Sequence, residues 1–168
     1  IICPFPEGQA AGQRLKYEQY FDYWKLENYE LTVSSYFGIR TWKILYKSGF
    51  FFSKFLSVIH GNLKRIKEIF FLNQYDVIYI FMYVTPLGTT FFEKLFRMFA
   101  KKIIYDFDDS IHLKENYKNH TSLNPFVGFF KSSNKSNYLI KYSNHVIISS
   151  PFHYEYCYKF NKYKSCTY

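Results

Sequence analysis

Three carboxylates, Asp106, Asp108 and Asp109, follow directly on the apolar run Ile103-Ile104-Tyr105. In extended chain Asp106 and Asp108 share a face. Like charges that close raise one another's pKa unless a base, a ligand or a hydrogen-bond network compensates. Such arrangements are retained where they do chemistry. Carboxylates can accept paired hydrogen bonds from vicinal sugar hydroxyls and steady positive charge developing at an anomeric carbon. His112, three residues on, suits a donor near a leaving phosphate or an acceptor hydroxyl. A structural use is open beside each role: Asp109 as a helix cap, Asp106 as a turn anchor, His112 as a surface side chain.

Other chemistries share these letters. Phosphoryl transfer of the haloacid-dehalogenase type also uses an apolar strand followed by Asp-x-Asp, but it needs a later acidic pair to hold Mg²⁺. The acids after Asp109 are Glu115 and Glu155, far apart, and about a hundred residues precede the motif. The Asp-x-Asp of GT-A glycosyltransferases fits Asp106-Phe107-Asp108 too, on a motif too short to be specific. No metal ligand set is expected.

A second candidate is the segment Pro4 to Arg14, with Gly8, Gly12, Gln13 and Arg14. Small residues ahead of a helix let backbone N–H groups approach an anion. Arg14 falls on the stripe 14, 17, 21, 24 with Tyr17, Phe21 and Trp24, which predicts that it points inward at a crevice. A cation in a first helical turn opposes the macrodipole, which suits a phosphate or carboxylate there. The alternative is an arginine that staples a neighbouring loop.

The elements that must position these groups alternate. Apolar runs predict strands near 1–4, 30–35, 76–84, 102–105 and 145–149, with another opening near the end of the chain. Helical periods cover 13–26, 39–72 with a break at Gly49, a helix after Thr90, about 124–142, and one opened by Pro151. Thr90-Phe91-Phe92-Glu93 has capping-box spacing. Strands alternating with helices predict an α/β, Rossmann-like three-layer sandwich with a mostly parallel sheet. Ligands of such sheets bind beyond the carboxyl ends of the strands.

Hydrophobic residues make up 48% and charged residues 21%, a globular composition. No apolar run reaches the roughly 18 residues of a membrane span. Three cysteines (Cys3, Cys157, Cys166) lack metal spacing and an even disulfide count, which fits a cytoplasmic setting. The net charge of +9 is concentrated in 36–74, where seven Lys or Arg face a single acid, Glu68. In that stretch Phe52, Phe55, Leu56, Ile59, Leu63, Ile66 and Phe70 keep the helical period. Two readings of residues 40–67 stand: a core helix with a solvated basic back, and a peripheral contact with the inner face of the membrane. No nucleic-acid-binding motif accompanies the charge, and no nucleic-acid partner is expected.

The string Ile103-Ile104-Tyr105-Asp106-Phe107-Asp108-Asp109-Ser110-Ile111 resembles the "VYDFDDAI" motif in a branch of the family-4-type glycosyltransferases. Asp76 to Ile80 is similar to the strand before it there, Pro4 to Arg14 to the first βα loop, and Asn144 to Ser150 to the "A-D-x-V-I-x-x-S" strand before the crossover to a second domain. The likeness runs in order over nearly the whole chain. It implies the amino-terminal, acceptor-side half of a GT-B fold. The full enzyme would be a retaining hexosyltransferase, without a metal or other cofactor, using a nucleotide-sugar as co-substrate. Its acceptor would be a glycan or a lipid-linked sugar in polysaccharide or glycoconjugate synthesis. By the same resemblance Gly12 and Arg14 would face a donor phosphate or anionic acceptor, and Asp106 to Asp109 would line the acceptor side. The donor-binding half with its Glu-x7-Glu pair is not within the 168 residues, so this polypeptide alone is expected to be inactive. Ser110 departs from the usual Ala. The alternative is a non-catalytic Rossmann-like binding module.

Overall fold

The computed structural model describes residues 1–107 and 133–168. Six parallel strands form one sheet in the order β2-β1-β3-β4-β5-β6. They are β1 (Ile2–Cys3), β2 (Ser34–Ser35), β3 (Ile78–Phe81), β4 (Ile103–Phe107), β5 (His145–Ile148) and β6 (Cys166–Thr167). The helices are α1 (Ala11–Lys16), α2 (Phe21–Leu26), α3 (Ile39–Leu45), α4 (Phe51–Ile69), α5 (Phe91–Phe99), α6 (Ser133–Tyr142) and α7 (Tyr154–Phe160). This is the Rossmann-like three-layer arrangement the alternation predicts.

Two apolar clusters define the layers. On one face Ile2, Ile78, Ile80, Ile103, Tyr105, Val146 and Ile148 of the strands meet Ile69, Phe92, Phe96, Leu139, Ile140 and Cys157 of α4 to α7. On the other, Cys3 and Phe81 meet Tyr17 and Phe21 at α1 and α2. The strands alternate between the two faces, as a pleat requires. The chain steps one way from β1 to β2 and the other way from β2 onward, and under the right-handed crossover rule for parallel strands such a reversal puts helices on both faces.

Three local expectations are corrected. The helix foreseen over 13–26 is broken: α1 ends at Lys16, Tyr17 sits at φ −139°, and a 3-10 turn over Glu18–Tyr20 leads into α2. Thr90 makes no side-chain cap on α5, so the capping box does not form; Glu93 is buried instead.

The third correction concerns α4, whose apolar stripe does not enter the core. Phe52 and Phe70 are each 74% exposed, Leu63 is 60% exposed, and Phe55, Leu56, Ile59 and Ile66 are exposed as well. Lys54, Gly61, Arg65 and Ile69 face inward in their place. Two contacts choose this face. At Gly61 the helix backbone comes so close to the Tyr36 ring that an added Cβ would lie 2.6 Å from it. The Tyr36 hydroxyl donates to Val58 O at 2.9 Å, and four residues past Gly61 the Arg65 side chain reaches the strand ends.

Candidate functional site: the carboxyl edge of the sheet

The chain leaves β1 toward β2 on one side and continues from β3 on the other, so the loops after β1 and β3 diverge at the carboxyl edge. A crevice at such a reversal of strand order is where open α/β sheets take ligands. In the first loop Gly8 adopts φ 75°, a left-handed conformation that suits glycine. Its N–H donates to Glu18 Oε2 at 2.9 Å. Gln13 is fully buried. It accepts from Phe5 N at 2.9 Å and donates to Phe5 O at 3.0 Å and Glu18 Oε1 at 3.1 Å. The anion addressed by these donors is therefore the chain's own Glu18 carboxylate.

Gly12 lies half-buried within α1, and Arg14 is on its exposed side. The inward orientation expected for Arg14 is corrected: the break at Tyr17 interrupts the period linking 14 to 17, 21 and 24. The side chains of α1 that do turn inward are Gln13 and Lys16, three residues apart.

Asp106 lies inside β4 and is 1% exposed. Lys16 Nζ donates to its Oδ1 at 3.0 Å, and the Tyr79 hydroxyl donates to Oδ2. Burial, and then the negative charge of Asp106, push the Tyr79 hydroxyl well above its ordinary pKa, so it stays a donor. The Asp106 carbonyl accepts from Met82 N at 3.2 Å. Met82 is at φ 64°, and Tyr83 N bonds back to Phe81 O at 2.8 Å. This is a tight three-residue turn with a bulky residue at positive φ, a strained conformation of the kind that collects at functional sites. A carboxylate engaged at both oxygens and closed to solvent is a positioning charge. It is poorly disposed to act as the open nucleophile of phosphoaspartate chemistry. Asp108, Asp109 and His112 lie outside the described residues, as do the first residues of the helix foreseen over 124–142.

Three further groups at this edge escaped sequence reasoning. Arg65, fully buried, donates from Nε to Val84 O (2.8 Å). From Nη1 it donates to Ser34 Oγ (2.8 Å) and Glu68 Oε2 (2.7 Å), and from Nη2 to Cys3 O (3.1 Å) and Ser34 O (3.2 Å). All five guanidinium donors are used. Lys135 donates to Thr85 O at 2.5 Å and stands 3.5 Å from Glu93 Oε1. Neither Glu93 oxygen accepts a hydrogen bond among the described residues. Burial raises the Glu93 pKa and lowers that of Lys135, and their mutual attraction opposes both shifts. Lys16 and Tyr79 are the third group. The one readable signal was Gly61, since a glycine inside a helical pattern marks a close approach.

The edge thus offers a buried carboxylate, a half-buried lysine, a strained turn and a buried arginine that ties the end of β1 to the loop after β3. Among the described residues no group of His, Cys, Asp and Glu could hold a metal ion. Nor is any described helix long and apolar enough to cross a membrane. Comparison with family models, with curated proteins and with solved structures returns no match for this chain.

Proposed function

We propose that the chain is the acceptor-side domain of a GT-B-type glycosyltransferase, acting with a nucleotide-sugar donor on a glycan or lipid-linked acceptor. One observation carries the reading. The Asp106-Phe107-Asp108-Asp109 string begins at the carboxyl end of a central parallel strand, and Lys16 and Tyr79 hold its first carboxylate rigid. Anchoring Asp106 fixes where the chain leaves β4, and thereby the starting point of the acids that follow it. Fixed charge at a cleft wall can favour a transition state without reorganising during reaction.

On this reading the polypeptide continues into a second βαβ domain that supplies the donor site, and transfer requires both. In the enzyme with both domains, Asp108→Asn is expected to lower kcat/KM by well over tenfold, more than about 1.4 kcal/mol of transition-state stabilisation. Arg14→Ala, on the exposed side of α1, is expected to raise KM for the anionic substrate with a smaller change in kcat. Radiolabelled sugar transfer by wild type and both variants is the measurement. A coding sequence that stops soon after Tyr168, or wild-type rates in Asp108→Asn, would reject the reading.

A second reading, a non-catalytic Rossmann-like binding module, draws on a different observation: Glu18, Arg65 and Asp106 are all satisfied within the chain. A stop codon after Tyr168 would favour it.

A further inference from the structure

The outer side of α4 carries a regularity that packing on the sheet does not require. Phe52, Leu56, Ile59, Leu63, Ile66 and Phe70 follow one another at alternating steps of four and three residues. That is a heptad repeat, the spacing by which the side chains of one helix fill the holes of another. The residues that α4 turns to the sheet, Lys54, Gly61, Arg65 and Ile69, lie on the opposite side. The six heptad side chains are between 40% and 74% exposed, so no helix lies against this seam among the described residues.

Size and symmetry point to the occupant. Phe51 and Phe55 flank the seam and are exposed as well. Together these side chains present roughly 800 Å², about what each partner buries in a complex of standard size. The seam is also complementary to itself. Two copies of α4 laid antiparallel about a two-fold axis near Gly61 set Phe52 against Phe70, Leu56 against Ile66 and Ile59 against Leu63. Every layer then joins side chains of matched size, as a contact between identical patches demands. A lipid surface would accept the apolar face but makes no use of heptad spacing.

Charge does not oppose the contact. Arg40, Lys43 and Lys47 belong to α3 and the turn after it. The Thr41–Ser57 hydroxyl pair (2.7 Å) and the bond from Lys54 Nζ to Lys47 O (2.5 Å) seat that segment on another side of α4. On α4 itself the charged side chain beside the seam is Lys67, which is exposed. In the antiparallel pair Lys67 of each copy lies level with Phe55 of the other. The two lysines then stand roughly 18 Å apart along the axis, beyond the Debye length of about 10 Å at 0.1 M salt. A parallel pair would bring them level and set like ends of the helix dipoles side by side.

We propose that two copies of this chain pair through α4 as an antiparallel, two-fold helix seam. The inference is independent of the transferase reading. The seam points away from the sheet, and neither a half-enzyme nor a binding module uses that side at the carboxyl edge.

The test is sedimentation velocity of the 168-residue chain from about 1 µM to about 100 µM. A dimer is expected, with a Kd of about 1 µM or tighter. Leu63→Glu places a carboxylate beside the two-fold axis and is expected to weaken the dimer by at least a hundredfold. Its urea midpoint should equal that of wild type diluted to monomer, because Leu63 is exposed in the single chain. Ser53→Glu faces Lys67 of the second copy only in the antiparallel pair. It is expected to tighten the dimer about threefold at 0.1 M salt, with the gain lost at about 0.5 M. A chain that stays monomeric throughout, whether or not it sediments with lipid vesicles, would overturn the proposal. So would a dimer that Leu63→Glu leaves intact, or a Leu63→Glu monomer less stable than dilute wild type, which would mean a stripe packed in the core. No gain from Ser53→Glu would overturn the antiparallel register.

Discussion

At the scale of single residues the buried ion pair between Glu93 and Lys135 makes the sharpest demand on the fold. Its two partners come from α5 and α6, and burial opposes the charged form of each. Removing one partner strands the other. Lys135→Met is expected to cost about 3–5 kcal/mol near neutral pH, because it leaves an uncompensated carboxylate in the core. Glu93→Leu/Lys135→Met should recover most of that. The pH dependence follows from the direction of the shift. Glu93 has a folded pKa above its ordinary 4.5, and more so once Lys135 is gone. Its contribution to stability is therefore fully present below that value and lost as pH rises through the folded pKa. The deficit of Lys135→Met against wild type should shrink as pH falls toward 4.5, while the double variant shows no such change. Urea unfolding across that range measures it. A deficit independent of pH would mean that Glu93 does not titrate as a buried carboxylate.

At the scale of elements, strand and helix order was legible because the signals are local. Val77 to Val84 is apolar almost without interruption, Gly49 splits α3 from α4, and Pro151 opens the turn before α7. The acid-rich end of β4 was legible for the same reason. What holds Asp106 was not, since Lys16 and Tyr79 lie 90 and 27 residues away in sequence. Helix α4 shows the deeper limit. Its period reported an apolar stripe correctly, yet nothing in a period says which side meets the sheet. Gly61 settles it by admitting Tyr36, and that can be tested. Gly61→Ala gains about 1 kcal/mol of helix propensity. Its Cβ would lie 2.6–2.8 Å from a Tyr36 ring that is 2% exposed and bonded to Val58. Overpacking of this kind costs about 1–3 kcal/mol, and the pinned ring makes the upper part of that range apply. A net loss of about 1–2 kcal/mol is expected in urea unfolding. A stabilised variant would mean that the ring yields and that the inward face of α4 is chosen by other contacts.

At the scale of the whole molecule Arg65 joins what the topology separates. The carboxyl end of β1, the first residue of β2 and the loop after β3 belong to the two directions in which the sheet is wound, and one side chain bonds the carbonyls of Cys3, Ser34 and Val84. Ser34 Oγ in turn donates to Glu68, so the guanidinium sits in a closed polar network with the Tyr36 ring 5.8 Å away. The geometry calls for arginine specifically. An ammonium has three donors where the guanidinium has five, so Arg65→Lys must give up at least two of these bonds and is expected to lose about 1–3 kcal/mol in all, since Cys3 O keeps Tyr36 N and Ser34 O keeps the Cys3 thiol as donors. Arg65→Met abandons all of them and is expected to lose about 3–5 kcal/mol, or on the order of 10 °C in Tm for a domain of this size. Glu68→Gln keeps a hydrogen-bonding group beside Arg65 on a partly exposed side chain and is expected to cost about 1 kcal/mol. Thermal unfolding of the three variants ranks them. The order Met, then Lys, then Gln is required if the network joins the two directions of winding. Arg65→Lys within about 1 kcal/mol of wild type would instead make Arg65 a replaceable cation and leave the junction of the two directions of winding to the strand pairing alone.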